Sequence, residues 1–287
     1  MRQSASVIAG VIVAACMLAA AGSAGGRTLS GLPAFALAGM IAFAVQWLAF
    51  IPAYLRQTEH YFDLTGSLTY LTLVLFALAV SGGDDRALLL TFLVTVWAAR
   101  LGTFLFLRVR RSGSDRRFDR IKPDFWQFLM TWTLQGLWVF MTLAPALAAM
   151  TATRQVPLGT LALTGVFVWL AGFAIEVTAD AQKRRFRAQP ENAGRFITSG
   201  LWAWSQHPNY FGEIVLWCGI ALISFPVLGG WQYLTLISPL FVFVLLTRIS
   251  GIRMLDAQAK RRWGEDPDYQ AYRRRTSRLL PWPPRSS

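Results

Sequence analysis

The chain alternates long apolar runs with short polar connections. Runs of spanning length recur at 5–23, 33–54, 66–81, 87–107, 126–150, 158–179, 209–226 and 231–249. Crossing the hydrocarbon core of a bilayer takes about 20 residues, so the pattern predicts an all-α integral membrane protein with about eight transmembrane helices. The third and seventh runs are the shortest. The first run follows Arg2 and precedes small residues near 21–26, the layout of a signal peptide. Its alanine-rich stretch is long for that purpose, and we read it as a retained extra helix. The expected organisation is a single membrane domain over 1–287. It has a core from 33 to 250, an extra N-terminal helix at 5–23 and a polar tail over 250–287.

Charge orients these helices. The net charge of +13 invites a nucleic-acid partner, but the distribution argues against one. Of 28 Lys and Arg, seven lie in 108–122, five in 183–195 and ten in 248–285. With eight spans, all three segments fall on one side of the membrane, together with Arg2 and Arg56. The positive-inside rule makes that side cytoplasmic and places both termini there. The opposite loops hold little: Arg27, the Asp84-Asp85-Arg86 turn, Arg154 and the uncharged Leu228-Gly229-Gly230.

Little soluble chemistry is encoded. The two cysteines, Cys16 and Cys218, lie in predicted spans and form no framework. His60 and His207 are the only histidines, and no cluster has metal-ligand spacing. There is no HExxH, GxSxG or Walker A sequence, and no GxGxxG follows a strand. A cofactor must therefore be held by the membrane helices and their cytoplasmic loops. No internal repeat suggests a transporter.

Glu213 stands out against this background. It follows the polar cluster Ser205-Gln206-His207-Pro208-Asn209-Tyr210-Phe211-Gly212 and enters an apolar run. A carboxylate there is costly unless it faces a partner or a cavity, so it marks a functional site. Pro208 suits the first position of a helix. Asn209 and Glu213 then share one face, one turn apart, at the positive end of the helix dipole. The sixth span ends in a second polar face: Glu176, Asp180, Lys183 or Arg184, and Arg187 recur at helical spacing. The loop that follows is short enough to return directly to Asn209, so Asp180 and Arg187 are expected beside it. Arginines, an amide and acids at a helix N-terminus suit a phosphorylated nucleotide.

The stretch Asp180…Arg187…Gly200-Leu201-Trp202…Asn209-Tyr210-Phe211-Gly212-Glu213…Trp217 resembles the steroid 5α-reductase family, in a bacterial branch. Further matching pieces are Leu134-Gln135-Gly136, Ser250-Gly251 and the tail Trp263-Gly264…Tyr269…Tyr272…Leu280-Pro281. The resemblance implies a multi-helix membrane fold in a bacterial inner membrane, with NADPH entering from the cytoplasm. The implied reaction is reduction of a carbon–carbon double bond conjugated to a carbonyl, in an apolar substrate arriving from the lipid. Asp180, Arg187, Asn209 and Glu213 match cofactor-contacting positions, as does Arg248. Trp202, His207, Tyr210, Tyr269 and Tyr272 complete the implied cofactor side.

The chain departs from the family's steroid reductases elsewhere. Those enzymes polarise the substrate carbonyl with a Gln-Glu pair on an early helix and a Tyr on the next. Here the matching region reads Glu59-His60-Tyr61-Phe62-Asp63, and the Tyr position falls near Trp97. Glu59, Tyr61 and Asp63 are the candidate carbonyl-polarising residues. A low-dielectric cavity would raise a carboxyl's pKa and so let an acid donate. Glu176 replaces an amide of the family pattern. His207-Pro208-Asn209-Tyr210 is also similar to a segment of membrane methyltransferases that act on isoprenylcysteine or phospholipids with S-adenosylmethionine, although Gln206 stands where those have Arg. A non-catalytic, lipid-binding membrane protein is the third reading.

Overall fold

A computed structural model describes residues 1–112 and 118–284. Asp115, Arg116 and Arg117 of the first basic loop and Arg285 of the tail lie outside the described residues. Among these residues, eight helices are long and apolar enough to cross a membrane. They begin with α1 (Arg2–Gly22), α2 (Ala34–Leu55), α3 (Phe62–Ser81), α4 (Asp85–Ser112), α5 (Phe125–Thr151) and α6 (Thr160–Ala188). A short α7 (Leu201–Trp204) leads into α8 (Pro208–Ser224). The third span is a full 20 residues rather than the shorter run its hydropathy outlined. The last span is not one regular helix. It passes through a 3₁₀ segment (Gly230–Ile237), α9 (Ser238–Val244) and a π-helical turn (Leu245–Ile249) before α10 (Gly251–Trp263). Pro239 has no N–H to donate and its ring crowds the preceding carbonyls, which accounts for the change of helix type at α9. The tail is folded too, closing with α11 (Pro267–Arg275).

The residues form two compact units, 1–162 with 221–238, and 163–220 with 239–287. In the first, α5 is the central helix, with α1, α2 and α3 packed against it. Several of its polar side chains bond to neighbouring helices. Gln135 Nε2 donates to Phe62 O at 3.2 Å, and Trp47 Nε1 donates to Thr133 Oγ1 at 3.1 Å. Gln46 Nε2 donates to Thr69 Oγ1 at 2.8 Å between α2 and α3. Arg27 and Arg86, two of the sparse cations on the non-basic side, are spent on backbone carbonyls, including those at the ends of α3, α5 and α8. Arg27 donates to Val80 O and Ala152 O, and Arg86 to Val156 O, Pro157 O and Ile223 O. A cation at a helix C-terminus answers both the unpaired carbonyls and the dipole. The only sheet among the described residues is a tight hairpin, Thr28–Leu29 on Leu32–Pro33, whose turn residues Ser30 and Gly31 both have positive φ.

In the second unit α6 and α8 meet through glycines. A Cβ on Gly172 would lie 2.5 Å from Leu216 N, one on Gly212 2.7 Å from Glu176 N, and one on Gly219 2.7 Å from Trp169 N. Backbones in such contact leave room for hydrogen atoms only, the packing favoured between membrane helices. This seam brings the polar end of α6 against the first turns of α8.

Candidate functional site

The site is built at the start of α8. Pro208 is its first residue, as its missing N–H predicts. Asn209 Nδ2 donates to Asp180 Oδ1 at 3.2 Å, so the loop does return as the residue spacing requires. Glu176, Asp180 and Glu213 are all buried. Glu176 is one turn before Asp180 on α6, and Glu213 is one turn after Asn209 on α8. The glycine contact at 172 and 212 sets the separation of these two pairs. Three carboxyl groups and an amide thus line one end of the seam.

The return loop is pinned at each step. Trp202 Nε1 donates to Ala179 O at 3.0 Å, Leu201 N donates to Gln182 Oε1 at 2.9 Å, and Lys183 Nζ sits 4.2 Å above the Trp202 ring. Ser205 and Gln206 are tied to the tail by Ser205 Oγ to Leu279 O at 2.7 Å and Gln206 N to Ser277 O at 2.8 Å. Tyr272 Oη donates to Trp202 O at 2.7 Å, and its ring shares an aromatic cluster with Phe196 and Tyr269. Burial pushes the phenol pKa of both Tyr269 and Tyr272 up. The visible work of these two tyrosines and Trp202 is to fasten the tail to the loop.

His207 is buried and stacks on Tyr210 with ring centroids 5.7 Å apart. Its Nε2 lies 3.6 Å from Asp256 Oδ1, while its Nδ1 has no hydrogen-bond partner among the described residues. Burial pushes the imidazole pKa down, and Asp256 restores part of it. Asp256 was not apparent as a site residue: in sequence it looks like one charge of a solvated helix, and only the fold carries it to His207. Tyr210 presses on the backbone of α10, where a Cβ on Gly251 would meet its ring at 2.8 Å. That contact explains Ser250-Gly251 as a structural need. Arg187 and Arg248 are both exposed, Arg187 two turns beyond Asp180 and Arg248 in the π-helical turn.

The other candidates lie in the first unit, at the corner between α2 and α3. Glu59 is buried and pairs with Lys122 Nζ at 2.5 Å. Tyr61 is exposed, stacks on Phe106 and precedes α3, and Asp63 lies in that helix's first turn. A cleft of about 210 Å³ opens here between Pro52, Ala53, Thr58, Tyr61, Thr65 and Trp132. Trp97 is buried, edge-on to Tyr70 with centroids 5.0 Å apart.

The family described as "Protein of unknown function (DUF1295)" matches residues 49–276. The chain belongs to this family. Over 115 residues the chain is 34% identical to a Bos taurus protein named 3-oxo-5-alpha-steroid 4-dehydrogenase 1, covering 39% of each chain. It is 23% identical over 257 residues to Uncharacterized protein C594.04c of Schizosaccharomyces pombe, covering 78% of this chain and 72% of that one. It is 27% identical over 135 residues to a protein of Ustilaginoidea virens named Probable O-methyltransferase ustE, covering 47% and 45%. The chain therefore spans about two-fifths of the length of the bovine relative. No solved structure matches.

Proposed function

We propose that this protein is a membrane-embedded, NADPH-dependent reductase. Its reaction is reduction of a carbon–carbon double bond conjugated to a carbonyl in an apolar, steroid-like or lipid substrate. It acts in a bacterial inner membrane with both termini in the cytoplasm. The observation that carries the reading is the Asp180–Asn209 contact at the N-terminus of α8, flanked by the buried Glu176 and Glu213. The likeness to proteins named steroid 4-dehydrogenases supports it.

The groups present fit a dinucleotide. Asp180 and Glu213 are acceptors for ribose hydroxyls or a carboxamide, and Asn209 can both donate and accept. The first turn of α8 offers backbone N–H groups to a pyrophosphate. Arg187 and Arg248 are the cations for its phosphates. The open Nδ1 of buried His207 is a further polar atom awaiting a partner. When bound, the nicotinamide supplies a hydride. The chain's own share of the chemistry is to exclude water and hold a donor for the carbonyl oxygen. Glu59, Tyr61 and Asp63 are the candidate donors at the α2–α3 corner, with Glu59 paired to Lys122. Donors held in a dry, apolar site stabilise developing negative charge more strongly than they do in water.

The likeness to a probable O-methyltransferase favours a second reading, S-adenosylmethionine-dependent methyl transfer. That cofactor carries no phosphate, so Arg187 has less to do. Thermal unfolding in mild detergent separates the two. NADPH at a hundredfold excess over its Kd should protect the protein by about 2.7 kcal/mol. Arg187→Ala should shrink this protection, and S-adenosylmethionine should give none. Protection by S-adenosylmethionine alone, unaffected by Arg187→Ala, would sink the reductase reading.

A further inference from the structure

The tail carries a second charged feature that the cofactor site does not use. A groove of about 400 Å³ is lined by Arg273, Arg274, Arg275 and Arg278, with Gln206 and Trp282 completing its walls. No acid lines it. Asp256 reaches two of the four arginines, at 3.0 Å from Arg278 and 3.9 Å from Arg273. Among the described residues Arg274 and Arg275 make no ion pair, and both are exposed at the C-terminal end of α11. The groove is preformed. Gln206 Nε2 donates to Thr276 O at 2.8 Å, and Trp282 N donates to Trp204 O at 3.1 Å, which holds the last segment across the loop.

The apolar surroundings decide what the arginines meet. Trp204 is 47% exposed, Leu280 63% and Trp282 69%. Trp204 precedes the first residue of the α8 span by four positions, which on the spanning reading of α8 puts it near the membrane boundary. Tryptophan is enriched at that level because its ring is amphipathic. Large apolar side chains left in water beside a cationic groove are unfavourable on both counts. A lipid headgroup region answers both, giving a phosphate to the guanidinium forks and an amphipathic boundary to the rings. A free phosphate would leave the tryptophans and the leucine uncovered.

We propose that this groove binds the phosphate of an anionic phospholipid headgroup and so seats the folded tail on the cytoplasmic leaflet. The test is native mass spectrometry of the full chain in mild detergent, titrated with phosphatidylglycerol or phosphatidylcholine. Phosphatidylglycerol should be retained in preference to phosphatidylcholine. Each arginine near an anionic surface is worth about fivefold in affinity, so Arg274→Gln with Arg275→Gln should weaken phosphatidylglycerol retention about 25-fold. Both positions are exposed, and an unchanged Tm and monodisperse elution would confirm folding. Trp282→Ala should weaken retention without altering charge. Millimolar inorganic phosphate should not displace the lipid. Equal retention of the two lipids, or equal retention of phosphatidylglycerol by parent and double variant, would overturn the proposal. So would displacement of the lipid by inorganic phosphate or NADPH at matched concentration, which would make the groove a site for a soluble anion.

Discussion

Helices α5 and α6 are nearly equal in length, 27 and 29 residues, yet they solve opposite problems. The less apolar of the two is the more enclosed. The most apolar stretch of α5 has a mean hydropathy of 1.4 and is 83% buried, against 1.8 and 28% for α6. In water that ranking would be surprising. In a bilayer it is expected, because lipid solvates leucine as well as protein does, and what needs protein neighbours is a polar or small side chain. In α5 Thr133 and Gln135 bond to neighbouring helices, Gly136 packs against Phe43, and the Thr142 carbonyl accepts from Ser238 Oγ. On α6 the apolar Leu163, Phe167 and Leu170 remain outward, while the acids collect at one end against α8. The internal polar groups of α5 hold a fold together. Those of α6 gather against the first turns of α8, where Asp180 meets Asn209.

The sharpest way to break this contrast is at the α6–α8 seam. Gly212→Leu forces a side chain into the Glu176 backbone, and overpacking of this kind costs about 1–3 kcal/mol. We expect a lower Tm in detergent together with loss of nucleotide retention, whereas Gly10→Leu, in open surroundings, should change neither. A Gly212→Leu protein that keeps both properties would mean that the glycine seam does not build the site. Next in size, Asn209→Ala and Glu213→Ala should lower NADPH affinity roughly ten- to hundredfold, the equivalent of losing a charge-assisted hydrogen bond worth about 1.5–3 kcal/mol. Gln135→Leu in α5 is the converse, costing about 0.6 kcal/mol and no more than about 1.7, with nucleotide affinity unchanged. Should Gln135→Leu abolish binding while Asn209→Ala merely destabilises, the roles of the two helices are exchanged.

The smallest expected effect is on pH dependence. Burial depresses the His207 pKa in the folded protein below its unfolded value of about 6.5. The fold therefore favours the neutral ring, and this contribution is present in full above pH of about 6.5 and lost as pH falls through the folded pKa. Unfolding followed by temperature from pH 8 to 5 should show a decline on the acid side that His207→Asn reduces. A decline of the same size in the variant would assign it to other groups.

Much of this was legible in one dimension. Apolar runs separated by arginine-rich loops give the number and class of the helices, because an unbroken apolar segment of that length has few other stable environments. Pro208 announces the start of α8 through its missing N–H, and the return of Asn209 to Asp180 follows from helical spacing and a short loop. The irregular last span was not legible, since hydropathy is blind to the difference between α, 3₁₀ and π hydrogen bonding. Nor was the glycine seam: the spacing of Gly165 from Gly172 and of Gly212 from Gly219 is visible, but which helix each pair faces is not.

The sequence by itself determined that this is an all-helical membrane protein, with eight spans among the described residues and a polar cluster at the mouth of one of them. Those are consequences of local chemistry, of how many consecutive residues avoid water and where a charge interrupts them. Only the tertiary structure decided which partner each of these charges meets. Glu59 is neutralised by Lys122, 63 residues away in the chain, and His207 meets an Asp256 that sequence spacing gave no reason to choose. The tail's arginines and Trp282 share one groove, and Trp282 is hydrogen-bonded across the chain to Trp204. Such pairings depend on where distant backbones come to rest, and no periodicity along the chain encodes that distance.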